Sequence, residues 1–366
     1  MKTIAFCLFK YFPYGGMERD FLRIALECQQ LGAKVRVYTT KWDGEIPDGF
    51  DIRILRKQGF SNHTRISNFS KLIQQHLLIC PADLVVGFNK MPGVDIYFAA
   101  DVCFAQKLTS KSSLTRLLPR YSNYIKLEQS VFSEKSNTKV MCLLQERAKE
   151  YQKFYKIEDS RIEVLPLALD KNFAKGVDSF ERDKIRSEFG FDADTFVIAQ
   201  VASAFYTKGV DRVFESMAEL PDKNVHYLII GAGEIEKYQK LAAKYALDDC
   251  VTFTGGRSDI AELLYASDLL VHPARVESTG LTLLEAMAVN LPVICSVICG
   301  YSPIVKEAGG VVLTEPFSQN DLNRELSRCL NRETLLNMKA ELKSKFDDLH
   351  LSGLPEAAAQ FIMNNC

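Results

Sequence analysis

The chain has 366 residues, of which 47% are apolar and 25% charged, so its composition excludes disordered, collagen-like and coiled-coil proteins and fits about two globular domains. No apolar run reaches the ~18 residues of a membrane-spanning helix, and the short run at 4–9 is not typical of a signal peptide. The net charge of −1 and the sequence pI of about 6.6 disfavour a nucleic-acid-binding protein.

Short apolar runs alternate with segments of helical period along the chain. In the first part of the chain we predict strands at residues 4–9, 35–39, 52–55, 84–88, 95–99, 140–143 and 162–165. In the second part we predict strands at residues 196–201, 225–230, 251–254, 269–271, 293–295 and 311–313. Continuous apolar strands separated by helices indicate parallel sheets that are covered by helices on both faces.

A polar, glycine-containing stretch at 167–178 separates the two series of strands. We therefore predict an α/β protein with two Rossmann-like doubly wound domains, at 1–168 and 169–349, which face a cleft where ligands bind. A helix at about 350–366 is a candidate for packing back onto the first domain.

The two halves of the chain differ in charge. Residues 1–166 carry 25 Lys and Arg against 17 Asp and Glu, whereas the remainder carries 20 against 29. This asymmetry indicates an anionic partner of the N-terminal domain, although two domains of ordinary composition would also produce it.

Neither a disulfide framework nor a metal site is predicted. The ten cysteines are scattered and form no C-x-x-C pair, so we expect reduced, buried thiols in a cytoplasmic protein. Asp192 and Asp194 have the spacing of a metal-binding acidic pair, but a turn with solvated carboxylates explains them better. We therefore expect no metal.

Two glycine-containing loops follow predicted strands. Gly15 and Gly16 precede a helix, where glycine lets the backbone approach a ligand and the helix N-terminus favours an anion. An ordinary turn is the alternative explanation of this pair. Gly231 and Gly233 follow a later strand, but Glu236 stands where a dinucleotide fingerprint has its third glycine, which argues against a dehydrogenase.

The most informative segment is 268–293. It predicts a strand, a short loop with Glu277, and a helix that begins near Gly280 and Leu281 and carries Glu285 about one turn inside. Two carboxylates that bracket a helix N-terminus would hold sugar hydroxyls, while the free N–H groups of the first turn would hold a phosphate. A solvated acidic helix start is the alternative, and the spacing does not decide between them.

This segment resembles the E-x7-E signature of retaining, nucleotide-sugar-dependent glycosyltransferases of the GT-B fold. Companion features follow in order along nearly the whole chain: Gly15-Gly16, Pro166 to Asp170, Lys208-Gly209, Gly256-Arg257, and Glu277 with Glu285. Two further segments, at 5–16 and 85–103, resemble the bacterial lipopolysaccharide core α-1,3-glucosyltransferases. The resemblance implies transfer of glucose from UDP-glucose to an inner-core heptose of lipopolysaccharide, with retention and with neither metal nor cofactor.

The resemblance also implies roles for individual residues. Lys208 would stabilise the charge that builds on the leaving UDP, Glu277 would face the donor sugar, and Asp101 would grip the acceptor or the sugar. Alternatively, Asp101 caps the helix that follows it. The implied donor-binding residues are Gly15, Gly16, Lys208, Arg257, Glu277, Thr279, Gly280, Leu281 and Glu285. Retention without an obvious nucleophile implies front-face attack, in which the leaving phosphate takes the acceptor proton.

Three positions depart from the family pattern. Thr207 stands where relatives usually have an arginine beside the lysine at 208, Leu167-Ala168 replaces a usual Asn-Gly, and Asn290 replaces a usual glycine. The diphosphate would then be half as well neutralised unless another cation reaches it, so a non-catalytic nucleotide-sugar-binding protein is the alternative of a different class. A second alternative keeps the fold but uses another hexose donor or another surface-polysaccharide acceptor.

Residues 105–132 combine basic and apolar side chains, with five basic residues against one acid, Glu128. The pattern predicts an interfacial helix held on anionic lipid, at ~1 kcal/mol per basic residue, with the protein peripheral on the inner face of the bacterial inner membrane. A helix that packs on its own sheet is the alternative. The basic residues of this predicted membrane or acceptor face are Lys107, Lys111, Arg116, Arg120 and Lys126.

Overall fold

The computed structural model describes residues 1–13, 15–56, 58–59, 61–109, 112, 118–220, 224–349 and 351–366. The chain divides into two units, named here unit 1 (Met1–Ala168 with Gly353–Cys366) and unit 2 (Leu169–Ser352). Within the described residues, no helix is both long and apolar enough to cross a membrane. The ten cysteines are all free, and seven of them are buried.

Unit 1 is built on a parallel sheet. Its strands are β1 (Thr3–Cys7), β2 (Lys34–Thr39), β3 (Asp51–Ile54), β4 (Leu84–Gly87), β5 (Ile96–Ala99), β6 (Lys139–Cys142) and β7 (Ile162–Val164). They lie in the order β3-β2-β1-β4-β5-β6-β7. Its helices up to residue 168, within the described part, are α1 (Gly16–Gln30), α2 (Asn62–Ile79), α3 (Phe104–Thr109), α4 (Pro119–Phe132) and α5 (Gln145–Tyr155).

Burial follows each strand's place in this sheet. β4 and β5 are buried at every residue, as expected for central strands covered on both faces, whereas the edge strands β3 and β7 keep exposed positions. In the core, Phe132 of α4 stacks on Tyr151 of α5 with ring centroids 3.8 Å apart, and Tyr97 of β5 packs edge-on against Phe132. These aromatic contacts hold α4 and α5 against the sheet.

Unit 2 is also built on a parallel sheet. Its strands are β8 (Phe196–Val201), β9 (Val225–Ile230), β10 (Val251–Gly255), β11 (Leu269–His272), β12 (Val293–Ser296) and β13 (Val311–Leu313), in the parallel order β10-β9-β8-β11-β12-β13. Its described helices are α6 (Ser179–Glu188), α7 (Phe205–Lys208), α8 (Val210–Ala218), α9 (Ile235–Lys244), α10 (Ile260–Ala266), α11 (Leu281–Ala288), α12 (Ser302–Glu307), α13 (Gln319–Cys329) and α14 (Arg332–Lys345).

The chain returns to unit 1 through its last helix, α15 (Leu354–Asn364), which packs on α1. Leu354, Ala358 and Ile362 are fully buried. Their four-residue spacing places them on one face of the helix. That face of α15 therefore packs against α1.

The predicted α/β architecture of two doubly wound parallel sheets is confirmed. Each of the thirteen predicted strands is present, with ends shifted by no more than two residues. The first strand, for example, ends at Cys7 and not at residue 9. Continuous apolar runs predict these strands well because both faces of a parallel sheet are buried.

The prediction of an interfacial helix across residues 105–132 is wrong as a single helix. α3 ends at Thr109, Leu118 has an extended backbone, and α4 begins at Pro119. Proline fits the first turn of a helix but not its interior, so the sequence breaks the helix there. The acid of this stretch, Glu128, is fully buried and pairs with Lys90, which lies outside the stretch.

Candidate active site

Two adjacent strands of unit 2 carry two of the three predicted catalytic residues, Lys208 and Glu277, on the loops that follow them; the third, Asp101, lies in unit 1. Lys208 ends α7, shortly after β8, and Glu277 lies between β11 and α11. The strand order reverses between β8 and β11, so both loops lie at the switch point of the sheet, where such sheets bind ligands. The structure brings Lys208 and Glu277 together, with Nζ 2.5 Å from Oε2.

Gly209 lets these two loops approach closely. Its φ of +76° lies in the left-handed region, and a Cβ at this position would lie 2.2 Å from the carbonyl oxygen of Pro273. The backbone N–H of Arg275 also donates to the carbonyl of Thr207 at 2.8 Å. Backbone contacts therefore set the distance between the two loops.

Another cation lies beside Thr207, the position where the family pattern has an arginine. The guanidinium of Arg275 donates two hydrogen bonds of 2.7 Å to Asp211 and one of 2.9 Å to the carbonyl of Tyr206. Bidentate pairing of this kind fixes both partners. Arg275 therefore ties the loop after β11 to the start of α8.

Glu277 is a largely buried carboxylate with hydrogen bonds to both oxygens. Oε1 accepts from the Ser278 N–H at 3.0 Å, and Oε2 accepts from Lys208 and from Nε2 of His272, the latter at 2.9 Å. Burial raises the pKa of Glu277, but the His272 hydrogen bond and the Lys208 charge outweigh it and lower the pKa to about 2. Glu277 is therefore ionised at neutral pH.

His272 is a site residue that the sequence analysis missed. It is the last residue of β11, and its side chain is 1% exposed. The available signal was its position at the carboxyl end of a buried strand, five residues before Glu277. A sequence pattern does not reveal which partner a buried histidine takes, so this contact required the structure.

The predicted phosphate-binding turn lies at the start of α11. Gly280 has a φ of +85° and is the residue that precedes the helix, which begins at Leu281. The carbonyl of Thr279 accepts a hydrogen bond of 2.8 Å from the backbone of Tyr301, which anchors the loop before the helix. Glu285 is buried in the second turn. The loop that carries Glu277 thus leads directly into the first turn of α11, whose N–H groups are not used within the helix.

Arg257 lies on a different loop from Lys208 and Glu277. It follows β10, and its guanidinium pairs with Asp259 at 2.6 Å and with Glu188 at 3.0 Å. The hydrogen bonds that Arg257 donates to Asp259 and Glu188 raise the pKa of its guanidinium further above the ordinary value. Its charge is therefore engaged by two carboxylates, which tie the end of α6 to the start of α10.

In unit 1, Gly15 is the residue before α1, and Gly16 is the first residue of that helix. Both lie at the end of the loop that follows β1. A Cβ on Gly15 would lie 1.9 Å from Oε2 of Glu18, so this carboxylate folds back onto the glycine. Of the described atoms, none would lie within 4 Å of a Cβ on Gly16, which is exposed. Glu18 is a second buried residue that the sequence analysis missed.

Asp101 lies after β5 with an exposed side chain. Burial raises the pKa of Glu18, and the negative charge of Asp101 adds to that shift. The carbonyl of Asp101 accepts a hydrogen bond of 2.8 Å from the hydroxyl of Tyr151. This hydrogen bond fixes the backbone of Asp101 in the loop that follows β5 of unit 1.

The helix after Asp101 is capped by a different residue. Glu128 accepts from the backbone N–H groups of Phe104 and Ala105 at 2.8 and 2.9 Å, and from Nζ of Lys90 at 2.5 Å. The hydroxyl of Tyr155 donates to the same carboxylate at 2.7 Å. Glu128 therefore satisfies the first turn of α3, the role that the sequence analysis offered as an alternative for Asp101.

Three of the five predicted basic residues of the membrane or acceptor face are described. Lys107 on α3 and Arg120 and Lys126 on α4 are exposed. Lys111 and Arg116 lie outside the described residues. The three described residues therefore lie at the surface of unit 1.

The acidic pair Asp192 and Asp194 is exposed and lies in a turn closed by a hydrogen bond from the backbone of Thr195 to the carbonyl of Asp192, at 3.1 Å. Within the residues that the structure describes, no group of three His, Cys, Asp or Glu side chains is arranged to hold a metal ion. A turn accounts for the spacing of this pair.

Comparison with known proteins gives consistent matches. The family model of the glycosyl transferases group 1 matches residues 181–345. The chain is 40% identical, over 98% of its length and 98% of the relative's, to the lipopolysaccharide glucosyltransferase WaaG of Escherichia coli (strain K12). A crystal structure of WaaG, a glycosyltransferase involved in lipopolysaccharide biosynthesis, matches with a TM-score of 0.95 and 39% identity, covering 98% of this chain and 99% of that one.

A more distant structure shares the fold alone. Anabaena HepE in complex with UDP and glucose matches with a TM-score of 0.76 at 18% identity, over 100% of this chain and 99% of that one. The match to WaaG covers nearly the full length of both chains at a high identity, and the parallel sheets of both units are those of the GT-B fold. The chain therefore belongs to the glycosyl transferases of group 1.

Proposed function

We propose that this protein is a retaining glucosyltransferase that moves glucose from UDP-glucose to an inner-core heptose of lipopolysaccharide, in α-1,3 linkage. The observation that carries the proposal is the contact of Lys208 and Glu277 at the switch point of unit 2. The full-length similarity to a lipopolysaccharide glucosyltransferase supports the choice of donor and acceptor.

In this proposal the loops around β8 and β11 bind the donor. Lys208 pairs with the diphosphate, and the N–H groups at Gly280 and Leu281 hold a phosphate. Glu285 holds the ribose hydroxyls, and Glu277 faces the glucose. Thr279 lies on the same loop as Glu277.

The other proposed donor contacts lie outside the loops around β8 and β11. Gly16 offers an exposed backbone to the donor, beside Gly15, whose space Glu18 fills. Arg257 would contact the donor while its charge is also paired with Asp259 and Glu188.

The proposed reaction is a front-face displacement at the anomeric carbon. The bond from this carbon to the phosphate oxygen breaks with its electron pair on UDP, and the bond to the acceptor oxygen forms on the same face. The acceptor proton passes to the leaving phosphate. Glu277 is a poor nucleophile here because Lys208 and His272 already donate to Oε2. Asp101 in unit 1 is the residue proposed to hold the acceptor or the sugar.

We propose that the reaction needs no metal ion. The charge that builds on the leaving diphosphate would be met by Lys208 and by the dipole of α11. Thr207 leaves one cation fewer than the family pattern provides. This makes Lys208 the residue on which leaving-group stabilisation depends most.

We further propose that unit 1 meets an anionic membrane carrying the phosphorylated, lipid-anchored acceptor. The exposed Lys107, Arg120 and Lys126 support this, at ~1 kcal/mol per basic residue near an anionic surface. The protein would then act in the cytoplasm, peripheral on the inner face of the inner membrane. Vesicles with anionic lipid should bind it, and high salt should release it.

The test is transfer of glucose from UDP-glucose to heptose-terminated core lipopolysaccharide in the presence of EDTA, with the product anomer read by NMR. We expect an α-linked glucose despite chelation. Binding of UDP without transfer would point to another donor or acceptor, or to a non-catalytic binding protein. A panel of sugar nucleotides separates these outcomes, and Lys208→Met is the inactive control.

A further inference from the structure

The donor of the proposed function needs more positive charge than Lys208 alone provides. Each phosphate of a nucleoside diphosphate sugar carries a negative charge, and further charge builds up on the diphosphate as the sugar leaves. Lys208 supplies a single positive charge, which Glu277 already pairs at 2.5 Å in the free protein. A second cation on the loops around Lys208 would therefore stabilise the leaving diphosphate.

Arg275 lies on these loops. It belongs to the loop between β11 and α11, two residues before Glu277. Its backbone N–H donates to the carbonyl of Thr207 at 2.8 Å, and its guanidinium donates to the carbonyl of Tyr206 at 2.9 Å. Tyr206 and Thr207 directly precede Lys208 in α7. The guanidinium is therefore held against the segment that carries Lys208.

Part of this guanidinium remains available for a ligand. An arginine side chain has five N–H donors in a fixed plane. Nη1 donates to the carbonyl of Tyr206 and to Oδ1 of Asp211, and Nη2 donates to Oδ2 of Asp211. The Nε–H and the second N–H of Nη2 have no hydrogen-bond partner among the described residues. The side chain is 23% exposed, so these donors can bind the oxygens of an anion.

The existing contacts of Arg275 fix its side chain before any ligand binds. The paired hydrogen bonds to Asp211 set the plane of the guanidinium, and the ring of Tyr206 lies over it with the centroid 4.3 Å from Cζ. Because the side chain is already ordered, an anion that binds it loses little free energy in immobilising it.

The carboxylate of Asp211 does not cancel the positive charge of this part of unit 2. Burial lowers the pKa of Arg212, and the positive charge of Arg275 lowers it further, so the two guanidinium groups lie near each other. Two arginines and Asp211 together keep a net positive charge. An anion at the free N–H groups of Arg275 would therefore be attracted to this group of residues.

We infer that Arg275 is a second cation for the donor diphosphate, whose oxygens it binds through Nε–H and Nη2 while Asp211 holds the rest of the guanidinium. The inference rests on the proposed function for the identity of the anion. Thr207 stands where the family pattern has an arginine. In this chain the second positive charge comes from the neighbouring loop instead, from a residue that the sequence analysis did not single out.

A comparison of UDP with UMP isolates the contribution of the diphosphate. The two ligands share the base, the ribose and the first phosphate. A general disturbance of the loops would weaken the binding of both, whereas loss of a cation for the diphosphate would weaken mainly that of UDP. The readout is the ratio of the two dissociation constants, measured by calorimetry on the whole chain with EDTA present, together with turnover of UDP-glucose.

The test variant removes Arg275 together with its carboxylate partner. In Arg275→Gln alone, an unpaired Asp211 would itself repel a phosphate. The double variant Arg275→Gln/Asp211→Asn removes both charges, so the missing guanidinium is the remaining difference at the ligand. Arg212→Gln is the matched control, because Arg212 also donates to the loop after β11, at 2.9 Å to the carbonyl of Pro273.

We expect the double variant to raise Kd for UDP at least fivefold and Kd for UMP less than twofold, and to lower kcat/KM for UDP-glucose at least tenfold. Arg212→Gln should change the ratio of the two dissociation constants less than twofold. Addition of Thr207→Arg to the double variant should recover at least half of the lost preference for UDP, since it places a guanidinium beside Lys208.

Equal weakening of UDP and UMP binding in the double variant, or an unchanged preference for UDP, would overturn the inference. Failure of Thr207→Arg to recover any of this preference, with the fold intact by circular dichroism, would also overturn it. A wild-type protein that binds UDP no more tightly than UMP would instead refute the proposed diphosphate site, and the inference would fall with it.

Discussion

Gly209 offers the most direct test of the geometry at the candidate active site. A Cβ in Gly209→Ala would meet the carbonyl oxygen of Pro273 at 2.2 Å, where ordinary contact requires about 3.4 Å. Both groups are backbone, so the loops must separate by roughly 1 Å. A misplacement of that size costs about 10²-fold in rate when it separates groups that act together.

The same substitution also strains the backbone, and this effect needs its own control. A left-handed conformation costs alanine roughly 1–2 kcal/mol. Gly190 has a φ of +69°, and a Cβ at this position would have none of the described atoms within 4 Å. Gly190→Ala therefore carries the strain without the clash, and it lies before the amino end of β8, whereas the two loops follow the carboxyl ends of β8 and β11.

We expect Gly209→Ala to lower kcat/KM for transfer about 100-fold, and Gly190→Ala to lower it less than twofold. Thermal unfolding should show the strain in both variants and a further loss in Gly209→Ala. Equal activity of the two variants would refute the reasoning, because the distance between the loops would then not matter.

Three further predictions concern charged groups. Lys208→Met should lower kcat at least 100-fold but UDP affinity less than about tenfold, measured by kinetics and calorimetry; a larger loss in affinity than in kcat would contradict this. The pKa of Glu277 is about 2 in the folded protein, against an ordinary value of 4.5. Its ionised form therefore stabilises the protein above pH 4.5. This contribution of about 3 kcal/mol to the free energy of unfolding is lost as the pH falls toward 2. Denaturant unfolding across this range should be flatter for Glu277→Gln, and parallel curves would contradict the assignment. Glu128→Gln should cost roughly 3 kcal/mol of unfolding free energy because it leaves Lys90 without its carboxylate; a loss below 1 kcal/mol would refute the pairing.

The strands were accessible from the sequence for a physical reason, whereas the pairing of Lys208 with Glu277 was not predicted and is explained by the topology of the sheet. A parallel strand buried on both faces is a continuous apolar run, and such runs are visible without any partner. The loops after such strands gather at one edge of the sheet, so residues at those positions are brought together by topology alone. That is why Lys208 and Glu277, 69 residues apart, meet.

Contacts chosen by side chains across the fold could not be predicted in this way. The basic stretch at 105–132 has a helical pattern, but the backbone is extended at Leu118, and the buried Glu128 pairs with Lys90, which lies elsewhere in the chain. Arg257 has the position of a donor-binding residue, yet Asp259 and Glu188 engage it. Local pattern determines where a residue lies, whereas its partners depend on the assembled unit.

The contact between Lys208 and Glu277 also affects how donor binding energy is used. In the free protein the ammonium is already paired, so moving it to the diphosphate of the bound donor gains little net energy. As the bond to the sugar breaks, negative charge on the leaving diphosphate grows, and its attraction for Lys208 grows with it. The interaction is therefore stronger in the transition state than in the donor complex, which is the condition for raising turnover instead of affinity. This is why we expect Lys208→Met to act mainly on kcat.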